Sequence, residues 1–223
     1  MPWWSKVVTG GVTGLVLWGA CQLVPWDAGR VYDSRVGMDG DVQLASGDRM
    51  TVVGLGDSLL VRPDSWFRRV CATGDVGSCE NAGVRGDTTS GMYTRLGVDV
   101  LERKPSAMVL MGGTNDLRDD TPADVIVGQL DEIVRGAEDH GIRVVLCTVP
   151  PRDEYREQAL ALNDAIRSYA AGHDLKLLDL YSVVGTSEGL YGPGLSDDGI
   201  HPNAVGSERM AKLADVELPS LLG

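Results

Sequence analysis

Serine is a weak nucleophile and attacks a carbonyl only when a base takes its proton. This chain has three histidines to serve as that base. His140 and His173 each sit at the end of a helical pattern, beside Gly141 and Gly172, where an imidazole is solvated near a helix C-terminus. His201 lies instead in the turn Asp198-Gly199-Ile200-His201-Pro202-Asn203. Asp198 precedes it by three residues, close enough to bond the imidazole and fix its tautomer. A matching serine stands in Gly54-Leu55-Gly56-Asp57-Ser58-Leu59, just past the run Met50-Thr51-Val52-Val53. Acyl transfer also needs donors for the oxyanion of the tetrahedral intermediate. The backbone N–H of Ser58, that of Gly83 and the side-chain amide of Asn115 are the candidates. Asp57 is adjacent to the nucleophile rather than to the base, so it shapes the loop that presents Ser58.

Taken singly, each of these stretches reads as an ordinary turn. Their placement is what gives them weight. Apolar strands are expected at 50–55, near 79–81, at 107–111, at 143–149 and at 175–180. Helical spacing runs over 122–139, with Thr121 as cap, Pro122 in the first turn and Gly141 at the end. A second helix is expected over 154–171, and a third from about Asn203. Such alternation predicts a parallel sheet with helices on both faces. Ser58, the Asn81–Thr89 segment, the Gly112–Asp116 segment and the Asp198–Asn203 turn all follow strand C-termini, which share one edge of an open parallel sheet.

This constellation resembles the SGNH (GDSL-type) hydrolases. The matching blocks are Gly56-Asp57-Ser58-Leu59; Gly83 with Asn81 and Gly86; Gly113-Thr114-Asn115-Asp116; and Asp198-Gly199-Ile200-His201-Pro202. They span about Arg49 to Leu213. The resemblance implies an α/β, flavodoxin-like three-layer α/β/α sandwich with a five-stranded parallel sheet. It implies Ser58 as nucleophile, His201 as base, Asp198 as its orienter, and Ser58, Gly83 and Asn115 as oxyanion donors. Arg85 departs from the small residue of many relatives. It is a candidate contact for an anionic part of the substrate, set against plain surface placement. No cofactor and no metal are expected.

Composition narrows the partners. The 223 residues carry a formal net charge of −12, which disfavours nonspecific binding to nucleic acid. Leu59 breaks a GxGxxG pattern after Gly54, Leu60 stands where a GxSxG elbow needs glycine, and no HExxH spacing occurs. Cys71 and Cys79 flank a polar, glycine-containing loop that a disulfide would close in an oxidising compartment, while Cys147 lies in an apolar strand.

Residues 1–26 hold an uncharged stretch from Val7 to Val24, flanked by Trp3, Trp4 and Trp26. At about 18 residues it nears the lower limit for a membrane-spanning helix. A single N-terminal anchor, with the enzyme outside the cytoplasm, is preferred to a cleaved signal peptide. Trp18 occupies the −3 position before Cys21, where a small residue is wanted. Residues 27–48 read as a tether with a short strand near 42–44, and 49–223 as the hydrolase domain. The loop from Tyr181 to Asp197 is expected to wall a shallow cleft. The expected activity is hydrolysis of small O-acyl esters of cell-wall carbohydrate or lipid. Acyl transfer, lysophospholipase or thioesterase activity on the same machinery is the alternative, and a silent membrane-tethered binding domain a more distant one.

Overall fold

The computed structural model describes residues 50–223. The N-terminal hydrophobic helix, the tether and the strand expected near 42–44 lie outside the described residues.

In chain order the elements are β1 (Thr51–Gly56), α1 (Ser58–Val61), α2 (Trp66–Thr73), β2 (Ser78–Gly83), α3 (Thr89–Asp99), β3 (Ala107–Met111), α4 (Thr114–Arg118), α5 (Ala123–Glu138), β4 (Arg143–Cys147), α6 (Arg156–Gly172), β5 (Lys176–Leu178), α7 (Tyr181–Val184) and α8 (Ala204–Leu222). The five strands form one parallel sheet in the order β2-β1-β3-β4-β5. This is the flavodoxin-like order. Helices cover both faces: α2 packs on α8, and α5 packs on both α3 and α6. The central strands are apolar without alternation because both their faces are covered. Every residue of β3, and every residue of β1 after Thr51, is buried.

Register fixes where the chain leaves the sheet. Gly56, the last residue of β1, pairs with Gly83, the last of β2, and with Met111, the last of β3. Three strands therefore end level with one another, and their following turns open onto one edge. The order of strands reverses at β1, so a crevice forms above the ends of β1 and β3.

Packing accounts for the glycines that lead into Ser58. A Cβ at Gly54 would lie 2.5 Å from the Phe67 ring of α2, and one at Gly56 would lie 2.8 Å from the Met111 carbonyl. Trp66 and Phe67 are fully buried and meet edge-to-face, with ring centroids 5.6 Å apart. Phe67 thereby seats α2 on β1, the strand that leads to Ser58.

Several expectations shift in detail. β2 runs through Gly83, longer than its polar sequence suggests, and β5 is only three residues long. α5 starts at Ala123 with Pro122, in extended geometry, at its N-cap and no side-chain cap, so Thr121 does not cap it. Gly141, at φ 73°, does follow the helix. Cys71 and Cys79 form a disulfide that ties α2 to β2, and Cys147 is a buried free thiol. Closing so short a loop restrains the unfolded chain by about 2–3 kcal/mol on the chain-entropy account.

Candidate active site

The turn that presents Ser58 is set by one carboxyl group. Asp57 is fully buried, and its Oδ1 accepts the Leu59 N–H at 2.9 Å, which caps α1. Its Oδ2 accepts the Asn115 amide at 3.0 Å. Desolvation by burial pushes the Asp57 carboxyl up to about 7, with the Leu59 N–H and the charge of Arg152 acting against the rise and the charges of Asp116 and Asp87 adding to it. The residue beside the serine is thus a buried anchor for its loop.

Ser58 Oγ lies 3.0 Å from His201 Nε2, across 143 residues of sequence. On its other side His201 Nδ1 lies 2.9 Å from Asp198 Oδ2. An ionised carboxylate only accepts, so Nδ1 carries the proton and Nε2 is free to receive that of Ser58. Asp198 also organises its own turn. Its Oδ1 accepts the N–H of Ile200 at 2.9 Å and that of His201 at 2.7 Å. Partial burial opposes ionisation here, but these bonds and the His201 ring outweigh it and hold the Asp198 carboxyl well below the usual carboxylate range. Ser196 Oγ closes the turn by donating to the His201 carbonyl at 2.7 Å, and Tyr191 donates its hydroxyl to the Ile200 carbonyl at 3.0 Å.

The other two histidines lie apart from this group. His140 and His173 each bond a carbonyl of the helix they end, Gly136 and Tyr169, and are exposed.

The oxyanion donors differ from the sequence reading. The Gly83 N–H is already bonded to Asn81 Oδ1 at 3.0 Å, and Gly83 does not line the cleft. This corrects its assignment as a donor: β2 continues through Gly83, and the Asn81 side chain folds back along the strand to occupy its N–H. Gly86, three residues on, does line the cleft. It turns at φ 75°, and among the described residues nothing accepts a hydrogen bond from its N–H or from that of Ser58. Asn115 lines the cleft, yet its amide is also committed, to Asp57 and to the Asp87 carbonyl at 2.9 Å. To serve an oxyanion it must exchange the Asp87 bond.

The cleft measures about 260 Å³. Leu59 and Ile200 supply apolar surface; Arg85, Thr114 and Arg152 join the residues above in supplying polar surface. Arg85 stands exposed at the cleft. The wall expected from Tyr181–Asp197 is not there. Those residues fold through α7 and two bridges, Gly185 with Tyr191 and Ser196 with Pro202, and brace the Asp198–His201 turn from behind.

Two arginines escaped the sequence reading. Arg152 is 6% exposed and lines the cleft. Arg95, on α3, reaches across the ends of β1 and β2. It donates to the Gly56 carbonyl at 2.9 Å, the Ala82 carbonyl at 2.6 Å, Asp87 at 2.7 Å and Asp99 at 2.7 Å. It ties the end of β1, just before Ser58, to the end of β2 and the loop that follows it. Helical spacing reveals which face a residue occupies but not how far a long side chain extends from it.

Residues 45–209 match the family model of the GDSL-like lipase/acylhydrolases. Among curated proteins none matches significantly. Solved structures share the fold. A protein assigned to the lipolytic G-D-S-L family from Desulfitobacterium hafniense is 24% identical with a TM-score of 0.69, covering 75% of this chain and 98% of its own. The lipase/acylhydrolase from Enterococcus faecalis is 25% identical at 0.65, covering 77% and 96%. The acetyl xylan esterase AlAXEase is 24% identical at 0.62, covering 74% and 97%.

Two variants probe the scaffold of the site. Arg95→Leu strips partners from Asp87 and from two strand-end carbonyls, and is expected to lower the unfolding free energy by about 3 kcal/mol in urea titrations; a loss below about 1 kcal/mol would contradict the locking role. Asp57 gives a pH signature. Its unfolded carboxyl ionises near the ordinary 3.8 and the folded one near about 7. Between these values the folded state keeps a proton that the unfolded state has released, so the Asp57 contribution to stability falls as pH rises and levels off above that range. The stability of wild type relative to Asp57→Asn should therefore decrease from pH 5 to pH 8, whereas a constant difference would refute the burial effect.

Proposed function

We propose that this chain, which belongs to the GDSL-like lipase/acylhydrolase family, acts as a serine esterase on small O-acyl, acetyl-like esters. Ester-bond hydrolysis is the chemistry of the family, and the relay from Ser58 through His201 to Asp198 is the observation that carries the assignment here.

The reaction proceeds in two halves. His201 Nε2 takes the Ser58 proton as Oγ attacks the ester carbonyl carbon, and the carbonyl π electrons move to oxygen. The N–H groups of Ser58 and Gly86 receive that oxyanion, with the Asn115 amide joining as it releases Asp87. Each such donor is worth about 10²–10³ in turnover. Collapse of the intermediate breaks the C–O bond, and the alcohol leaves with the proton held by His201. Water then enters, gives its proton to His201 and its oxygen to the acyl carbon, and Ser58 departs with the proton restored. The net change is ester plus water to acid plus alcohol. Asp198 stays ionised throughout and holds the imidazole in place.

A cleft of about 260 Å³ suits a short acyl chain better than a fatty one. Together with an acetyl xylan esterase among the fold neighbours, this favours an acetylated carbohydrate, such as cell-wall sugar, over a lysophospholipid. A sugar or lipid hydroxyl in place of water would give acyl transfer by the same steps.

We place the enzyme outside the cytoplasm, on a single N-terminal anchor or released after cleavage. The uncharged, tryptophan-flanked stretch supports this, and so does the disulfide between Cys71 and Cys79, a bond of oxidising compartments.

With 4-nitrophenyl acetate as substrate, Ser58→Ala and His201→Ala should each lower kcat/KM by about 10³-fold or more. Asp198→Ala should lower it less than His201→Ala, because the base remains and only its orientation is lost. Full activity in Ser58→Ala would exclude the serine mechanism. Fractionation of cells making the full chain should find it with membranes or outside the cell; recovery in the cytosol alone would overturn the export reading.

A further inference from the structure

The surface of the cleft has the opposite charge to the protein as a whole. The chain carries 32 acidic and 20 basic side chains, yet among the described residues the cleft is lined by two arginines, Arg85 and Arg152, and by no carboxylate. Arg152 is the more informative of the two. It is 6% exposed, and an arginine so buried is expected to sit against a carboxylate. Among the described residues it forms no ion pair, although its charge is felt by the buried Asp57 and by Asp119 without a hydrogen bond to either. Its only hydrogen bond runs from Nη1 to the Thr114 carbonyl at 3.2 Å. Its guanidinium stands 5.3 Å from the centroid of the Tyr155 ring, which braces it without neutralising it. Its Nε is buried with no partner, as is the hydroxyl of Thr114 beside it. A planar fork of donors, held in place and left unmatched at the wall of a catalytic cleft, is the arrangement that recognises an oxyanion.

We propose that Arg152, with Arg85 at the exposed part of the cleft, recognises an anionic group on the substrate, so that the preferred ester carries a carboxylate or phosphate close to the scissile bond. This rests on the esterase reading above and refines it. The acetyl-like ester is not a neutral one; its acyl or its alcohol part bears a negative charge. The buried arginine meets that charge where water is scarce, and the exposed one draws it in against the field of a chain of net charge −12.

Paired substrates test this in the intact protein. Mono-4-nitrophenyl succinate against 4-nitrophenyl butyrate places the charge on the acyl side, and 4-acetoxybenzoate against 4-acetoxybenzamide places it on the alcohol side. At low ionic strength, kcat/KM for one of the anionic esters should exceed that for its neutral partner by about tenfold or more. Arg152→Gln should bring that ratio close to one, Arg152→Lys should retain part of it, and Arg85→Gln should reduce it with a weaker salt dependence. Inorganic phosphate should inhibit 4-nitrophenyl acetate hydrolysis competitively, beyond sodium chloride of equal ionic strength. The phosphate experiment uses wild type alone and stands even where an Arg152 variant fails to fold. Parity in both wild-type pairs, or an anionic preference unmoved in a folded Arg152→Gln protein, would overturn the proposal. Absence of hydrolysis of all four esters and of 4-nitrophenyl acetate would count against the esterase reading instead.

Discussion

The catalytic edge hangs on a carboxylate with no exposure to water. Burying Asp57 costs desolvation, and the protein offsets that cost with two donors drawn from different parts of the chain: the Leu59 N–H two residues on and the Asn115 amide from the turn after β3. Neither donor is idle elsewhere in the design. The first starts the helical turn that carries Ser58, and the second fastens the end of β3 to the end of β1. Asn115 also grips the Asp87 carbonyl and so draws in the loop after β2. One buried carboxyl group thus gathers three strand ends. A second knot lies close by, where Arg95 joins the Gly56 and Ala82 carbonyls to Asp87. Side chains, rather than the sheet alone, hold the nucleophile turn.

His201 arrives by a separate route. The Asp198–His201 turn belongs to the long connection between β5 and α8, and it is stiffened by its own local bonds from Ser196, Asp198 and Tyr191. α8 packs on α2, the helix that follows the nucleophile turn, and this contact carries His201 to Ser58. Asp198 is therefore doubly engaged, as partner of the imidazole and as cap of the turn that presents it.

Much of this was legible in the sequence because its signals are local. Apolar β-branched runs marked the strands, and the polar or glycine-rich segments after four of them marked the edge. Ser58, Asp198 and His201 followed from the shortage of alternative bases, and the structure brings them within hydrogen-bond reach of one another. What the sequence hid depends on distance or on competition. Gly83 and Gly86 look equivalent in a string of letters. Only the ladder shows that β2 still runs at Gly83 and that Asn81 has already claimed its N–H. Asn115 looked like a free donor because its acceptors, Asp57 and Asp87, are 58 and 28 residues away. Arg95 and Arg152 gave no signal, since each acts at the end of a long side chain. Thr121 looked like a cap, yet the chain enters α5 one residue later, at Pro122.

The 143-residue gap between Ser58 and His201 also bears on the order of events in the life of the molecule. A chain made from its N-terminus assembles β1 and the nucleophile turn early, and every strand of the sheet precedes the base. On the proposed mechanism Ser58 has no proton acceptor until α8 docks against α2, and α8 follows every strand of the sheet. Contacts of such long sequence separation form late and slowly. Partly folded intermediates that lack this contact thus hold Ser58 without the base proposed for it, and activity by that mechanism appears only once the α2–α8 contact has formed.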